Sequence, residues 1–379
     1  MNQRFTTSVP KLLLPACLLM AAILLAIALW PFNPSPRNGV RWSSDGSGLI
    51  FGPQGVIYSP TALQPDANPQ AACSLSLRIQ PNFRYFHNSA VLLDFYTEQN
   101  PMQFQLLQWS DELLIRRDYR DSSKRLKTSE VEVEHALLRD EPVTITITPG
   151  PQGLLAYRNG VPAAASSAIH LTCADLAGQL VVGNSPHTEN AWQGKFVNLL
   201  LYNSALSPEQ ALHLDEPGHV SQKADGARSL ARYDFTQNSG RAIPNRAGSA
   251  PELIIPEVFR MLHKPFLNLP WNDHSDKLGL RDIAINIFGF APFGFLCFAY
   301  LYFQRRMSHA LLWTVLAGFA ITLTIEVLQF FVPSRGSDVI DLLTNTFGTY
   351  LGAVLLRWPG RHSLAARFGL SRSAKVTAE

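Results

Sequence analysis

EVLQFFVPSRGSDVIDLLTNTFG, residues 326–348, sets Glu326, Gln329, Arg335, Asp338, Asp341 and Asn345 among apolar neighbours on both sides. Read as helix, Glu326 and Gln329 stand three residues apart and share a face. Pro333 to Ser337 reads as a turn carrying Arg335 and Gly336. Beyond it, Asp338, Asp341 and Asn345 fall at i, i+3 and i+7 on one face of a second helix, and Gly348 and Gly352 continue that stripe. Small residues so placed let a neighbouring helix approach closely. The turn therefore joins two apolar helices whose polar groups gather at one end.

Working outward, the chain of 379 residues is 46% hydrophobic, an average that hides two different regions. Leu12 to Phe32 is apolar and uncharged, and Ile283–Phe303, Ala310–Val332 and Val339–Trp358 follow much later. Each is about 20 residues long, which a helix needs to cross hydrocarbon. Arg4 and Lys11 also fit the basic flank of a cleaved signal peptide, but the apolar run exceeds a usual h-region and no small-x-small site follows. The first run thus reads as a retained anchor.

Charge sets the expected orientation. Arg4 and Lys11, Arg305 and Arg306, and Arg357, Arg361, Arg367, Arg372 and Lys375 fall on one side only if all four helices span. By the positive-inside rule that side is the cytoplasm. The expected order is a cytoplasmic N-terminus (1–11), a transmembrane helix (12–32), an extracytoplasmic sandwich with flanking strands (33–256), a juxtamembrane linker (257–281), three further transmembrane helices (282–358) and a basic cytoplasmic tail (359–379). With 32 Lys+Arg against 29 Asp+Glu, the chain lacks the basic excess that nucleic acid demands. No nucleotide loop, nucleophile elbow or zinc-helix motif occurs. His263, Asp273, His274 and Asp276 fit no zinc spacing, so no metal is predicted.

Between Arg41 and Leu214 the pattern turns to short alternating runs: residues 74–80, 90–96, 103–109, 112–118, 143–149, 153–160, 179–184 and 195–203 read as strands. Their regular spacing, broken by Pro and Gly, predicts an antiparallel sandwich without a long helix. Asn159-Gly160 fits a tight hairpin and Ser207-Pro208-Glu209 the start of a short helix. Cys73 and Cys173 both lie in this exported region, either as a disulfide or as two separately buried thiols. Cys17 and Cys297 read as apolar packing residues.

Asn159-Gly160, Gly183-Asn184, Trp192 to Gly194, Tyr202, and Ala205 to Glu209 together resemble the second half of a concanavalin-A-like, laminin-G-like jelly roll. Such domains often bind glycans, although a fold alone does not fix a ligand. That resemblance makes Tyr85, Phe86 and Trp109 candidates for stacking on sugar, and Asp94 a candidate ligand in a calcium site; packing is the competing explanation for each. Residues 232–255 resemble a strand and turn that usually open such domains, so their pairing stays open. In 256–277, Phe259, Leu262, Phe266 and Leu269 recur at roughly helical intervals near Trp271, as in a segment lying on a membrane surface or a plain tether.

The helix after the linker contains Asp282, Asn286, Phe290, Pro292 and Gly294 as D followed by N-x-x-x-F-x-P-x-G. Pro292 and Gly294 are expected to bend or locally thin it. With Glu326 and Gln329 as E-x-x-Q and Arg335, Asp338, Asp341 and Asn345 as R-x-x-D-x-x-D-x-x-x-N, closing on Gly348 and Gly352, this order resembles the VanZ-like membrane family. The resemblance makes the first apolar run the family's first helix and the sandwich an insertion after it. It also implies an association with resistance to glycopeptides, specifically teicoplanin; the family's molecular activity is generally unassigned.

The expected architecture is a four-helix membrane bundle plus an all-β jelly-roll sandwich. The polar residues make an outward-opening pocket for a membrane lipid, envelope glycan or glycolipid, with Glu326 suited to acid–base work and Arg335 to gripping phosphate or carboxylate. Pairing that merely holds the helices together, catalysis on a lipid-linked substrate and a transporter subunit remain open beside simple binding. Oligomeric state is not legible in the sequence.

Overall fold

A computed structural model describes residues 9–64, 68–82, 89–100, 102–120, 123–187, 190–214, 229–236, 239–268 and 280–356. It forms two compact units, Ser35–Lys264 and a second built from Met1–Pro34 with Pro265–Glu379.

The first unit is an antiparallel β-sandwich. Its strands are β1 (Val40–Trp42), β2 (Leu49–Phe51), β3 (Ile57–Tyr58), β4 (Ser74–Pro81), β5 (Ala90–Tyr96), β6 (Phe104–Trp109), β7 (Glu112–Arg120) and β8 (Leu126–Val133). Then come β9 (Val143–Gly150), β10 (Gly153–Arg158), β11 (Val161–Ser166), β12 (Gln179–Val182), β13 (Gly194–Tyr202), β14 (Ser229–Asp234), β15 (Ala242–Ile243) and β16 (Leu253–Ile254). One sheet runs β1-β2-β13-β4-β9-β10-β11 with β14 also on β13; the other runs β15-β16-β3-β12-β5-β6-β7-β8. Residues 232–255 thus contribute to both sheets, β14 pairing with β13 and β16 with β3.

Between the sheets, apolar residues from alternate strand positions pack together, with Phe196 central: its ring centroid lies 5.2 Å from Phe51, 5.0 Å from Trp192 and 5.8 Å from Phe235. Trp192 is fully buried, and its indole N–H donates to Gln108 at 2.6 Å, so the polar tip is satisfied. A Cβ on Gly194 would strike that indole, which explains the Trp-x-Gly spacing. Asn159 and Gly160 both have positive φ (51° and 74°) and join β10 to β11, as a two-residue hairpin of this hand requires. Ser207 caps a six-residue helix, Pro208–His213, in a reciprocal capping box with Gln210.

Cys73 and Cys173 form a disulfide with a Cα–Cα distance of 4.7 Å. Residues 256–268 correct one expectation: they contain no helix. Phe259 is instead fully buried against Val56, Tyr96 and Val181 of the sandwich, so its apolar spacing serves edge packing. Leu269, Trp271, Asp273, His274 and Asp276 lie outside the described residues.

Numbering the helices in chain order, the second unit contains α1 (Val9–Leu29), α3 (Leu280–Ala299), α4 (Ala310–Phe330) and α5 (Val339–Leu355), with Pro208–His213 as α2. Among the described residues, three stretches are long and apolar enough to cross a membrane: Leu12–Leu29, Leu280–Gln304 and Ala310–Phe330. The last helix is shorter than its expected span, at 17 residues, a rise of about 25 Å. α3 continues through Pro292 and Gly294 without interruption; its irregularity is a π-helical turn at Tyr300–Gln304. Glycines draw the helices together. A Cβ on Gly294 would strike the Thr349 carbonyl, one on Gly348 the Ile287 carbonyl and one on Gly352 the Ala291 carbonyl. Gly318 of α4 likewise meets the Thr349 side chain. Cys17 and Cys297 are free and buried where α1 packs on α3.

Candidate functional site

α4 buries a stripe of Thr314, Gly318, Thr322, Ile325 and Glu326, a helical spacing that aims Glu326 into the bundle. Glu326 is 1% exposed. Its carboxylate accepts a 2.8 Å hydrogen bond from the backbone N–H of Asp338, the N-cap residue just before α5. A carboxylate at a helix N-terminus satisfies an orphan donor and is favoured by the helix dipole.

The other polar residues join elements in the same region. Asn286 of α3 donates to Asp341 Oδ1 at 2.8 Å and to Thr344 Oγ1 at 3.3 Å. Asn345 donates to Thr322 at 2.9 Å, while its own buried side-chain oxygen lacks a partner among the described residues. Gln329 donates to the Ala28 carbonyl at 3.0 Å, and Arg335 to the Trp30 carbonyl. Asp338 and Asp341 are half-buried and close enough for their charges to act on Glu326, as the charge of Asp282 at the exposed start of α3 acts on Asp341. The result is an acidic row running from exposed Asp282 inward to buried Glu326.

The sequence pattern placed all eight polar residues in this region but did not identify Thr322, Thr344 or a strap at residues 266–268. The Asn268 backbone N–H donates to the Ser337 carbonyl at 2.7 Å, and Phe266 packs edge-on to Phe330 with ring centroids 5.5 Å apart. Thr322 stands four residues before Glu326 and Thr344 three after Asp341, so the same periodicity could have found both.

In the sandwich, Trp109 is 47% exposed on β6, whereas Tyr85 and Phe86 lie outside the described residues. Asp94 corrects the view of it as an accessible ion ligand. It is fully buried in mid-strand, where Gln105 on the neighbouring strand donates to it at 2.6 Å. Burial, opposed by the Gln105 bond and aided by the charge of Asp118, pushes its carboxyl well above the usual range. Among the described residues, no group of three or more His, Cys, Asp or Glu side chains could hold a metal ion.

Residues 231–360 match the family model described as VanZ/LLP1. The C-terminal part of this chain is a VanZ-like domain. The match begins at Ala231 in β14, so it takes in the last strands of the sandwich as well as α3, α4 and α5. The apolar helices and the VanZ-like domain mark a membrane protein. No curated protein matches the chain. Among solved structures, a heptameric SAP-like pentraxin from Limulus polyphemus is 14% identical, with a TM-score of 0.34, covering 59% of this chain and 95% of the pentraxin. A Bacteroides ovatus protein provisionally described as carbohydrate binding is 12% identical with a TM-score of 0.37, covering 60% of this chain and 62% of that protein. The binding domain of Paraclostridial Mosquitocidal Protein 1 is 12% identical with a TM-score of 0.31, covering 48% and 46%. This chain therefore spans less than two thirds of the latter two.

Proposed function

We propose that the VanZ-like helices bind the polar headgroup of a lipid-linked saccharide in a bacterial cell envelope. The observation that carries this reading is the acidic row from exposed Asp282 through half-buried Asp341 to buried Glu326, set between apolar helices. Ionisable groups at such depth are costly and mark functional sites by default. Carboxylates accept hydrogen bonds from sugar hydroxyls, and Arg335 supplies the cation for an anionic linkage. Glu326 acts as a positioning residue, holding the start of α5 in place through the amide of Asp338.

In this reading all four apolar helices span the inner membrane, both termini are cytoplasmic, and the row opens outward. The basic clusters and the positive-inside rule support that sidedness. The sandwich stands outside and recognises an envelope glycan or partner, with Trp109 as the exposed aromatic platform. Tolerance of teicoplanin is the cellular readout to examine.

The test is thermal unfolding of the full-length protein in detergent during titration with a purified polyprenyl-linked disaccharide. A ligand that binds only the folded state raises Tm as its concentration passes Kd. The expected result is a rise in the parent protein that is lost in Asp341→Asn. An unchanged Tm in the parent contradicts the proposal.

A further inference from the structure

The sandwich has a polar feature of its own. Its two sheets end on β1 and β15, and an open cleft of about 400 Å³ lies beside these edges. Arg37, Arg41 and Arg241 line it together with Trp42 and Glu257. The site is held by backbone and amide contacts. Asn38 donates from its side chain to the carbonyls of Val56 at 2.7 Å and Pro256 at 2.9 Å, and the Trp42 indole donates to the Gly240 carbonyl at 2.9 Å. Those bonds tie the start of one sheet to the end of the other, so the lining residues keep fixed positions while the guanidinium groups stay accessible.

The charge does not balance. Glu257 forms an ion pair with Arg241 at 3.0 Å. Its carboxyl is held below the usual range, first by its hydrogen bond with Arg241 and in smaller part by Arg37. Among the described residues no ion pair engages Arg37 or Arg41. Three guanidinium groups against one carboxylate leave two positive charges in the cleft, which matches the charge of about −1.5 to −2 on a phosphate monoester at neutral pH. Guanidinium forks also fit phosphate oxygens in pairs. The volume suits a small ligand, and Trp42 offers an apolar wall for its carbon skeleton.

We propose that this cleft binds the phosphate monoester of a small polyol or sugar through Arg37, Arg41 and Arg241. Arg37 follows the end of α1 by eight residues in the chain, so two sources of that group must be separated: a lipid headgroup and a soluble phosphate ester. Full-length protein is placed in nanodiscs of phosphatidylcholine alone or with phosphatidic acid, and each preparation is titrated with sn-glycerol 3-phosphate by calorimetry.

Saturable binding in phosphatidylcholine discs, weakened at least about tenfold in the double variant Arg37→Ala/Arg41→Ala, is the expected result. Arg41→Lys keeps the charge but loses the planar fork, and binds with intermediate affinity. None of the three arginines is buried, so an unchanged Tm verifies that the variants fold. If phosphatidic acid in the disc abolishes the soluble binding in the parent, the lipid headgroup occupies the cleft. Equal binding in both discs assigns the site to the soluble ester. No binding in phosphatidylcholine discs, or binding unaltered in the arginine variants, overturns the proposal.

Discussion

The Glu326 carboxylate accepts a 2.8 Å hydrogen bond from the backbone N–H of Asp338, twelve residues later and across the turn between α4 and α5. This contact separates two substitutions. Glu326→Gln keeps an acceptor oxygen and should fold with little loss. Glu326→Ala leaves a part-buried amide without this partner and should destabilise the bundle by about 1–3 kcal/mol. Thermal unfolding in detergent checks this, and equal stability of the two variants would show that the amide finds another acceptor.

Two glycines of the bundle, one on α5 and one on α3, should differ sharply. Gly352→Leu drives a side chain into the Ala291 carbonyl, whereas a Cβ added at Gly289 would meet no neighbouring atom within 4 Å. Overpacking of this kind costs about 1–3 kcal/mol, so Gly352→Leu should lower the unfolding temperature while Gly289→Ala does not. Resistance of the helices to proteolysis would rank the two variants independently.

Asp94 gives the sandwich a definite pH dependence. Burial raises its carboxyl well above the reference value of 3.8. Between the unfolded and folded values the folded chain binds more protons, so this contribution to stability is complete at acid pH and declines as pH rises. Asp94→Asn should remove the decline, gaining on the parent by up to about 1.4 kcal/mol per pH unit within that window. Parallel stability curves for parent and variant, from pH 4 to pH 8, would refute the shift.

The disulfide joins residues 100 positions apart. On the chain-entropy model a loop of that size is worth up to about 4.7 kcal/mol, so Cys73→Ser/Cys173→Ser should lower the sandwich's unfolding temperature substantially. Alkylation of the denatured, unreduced parent should label only Cys17 and Cys297. Labelling at all four cysteines would show that the bridge does not form.

Much of this architecture was legible because burial follows period. Alternating runs marked β4 to β7, and the i, i+3, i+7 polar stripe of α5 placed Asp338, Asp341 and Asn345 together. The remainder depended on contacts between segments far apart in the chain. β1, β3, β15 and β16 are two or three residues long and exist through their neighbours, so no local alternation announces them. Phe259 and Leu262 have helix-like spacing, yet tertiary packing on Val56 and Val181 overrides it. The strap over Ser337 is tied by the backbone of Asn268, a contact with no side-chain signature, although the spacing did single out Phe266, which packs on Phe330. Nor could spacing show that Asn286 chooses Asp341, since that choice depends on how closely α3 and α5 approach through Gly348 and Gly352.

Mass spectrometry of lipids retained by the purified full-length protein tests the central claim most directly, with parent and Asp341→Asn prepared in parallel. The account predicts that the parent retains a lipid-linked saccharide and that Asp341→Asn, folded and membrane-inserted, loses it. A parent that retains only bulk phospholipid, in the same proportions as the variant, would contradict it and leave the polar row as a lock between helices.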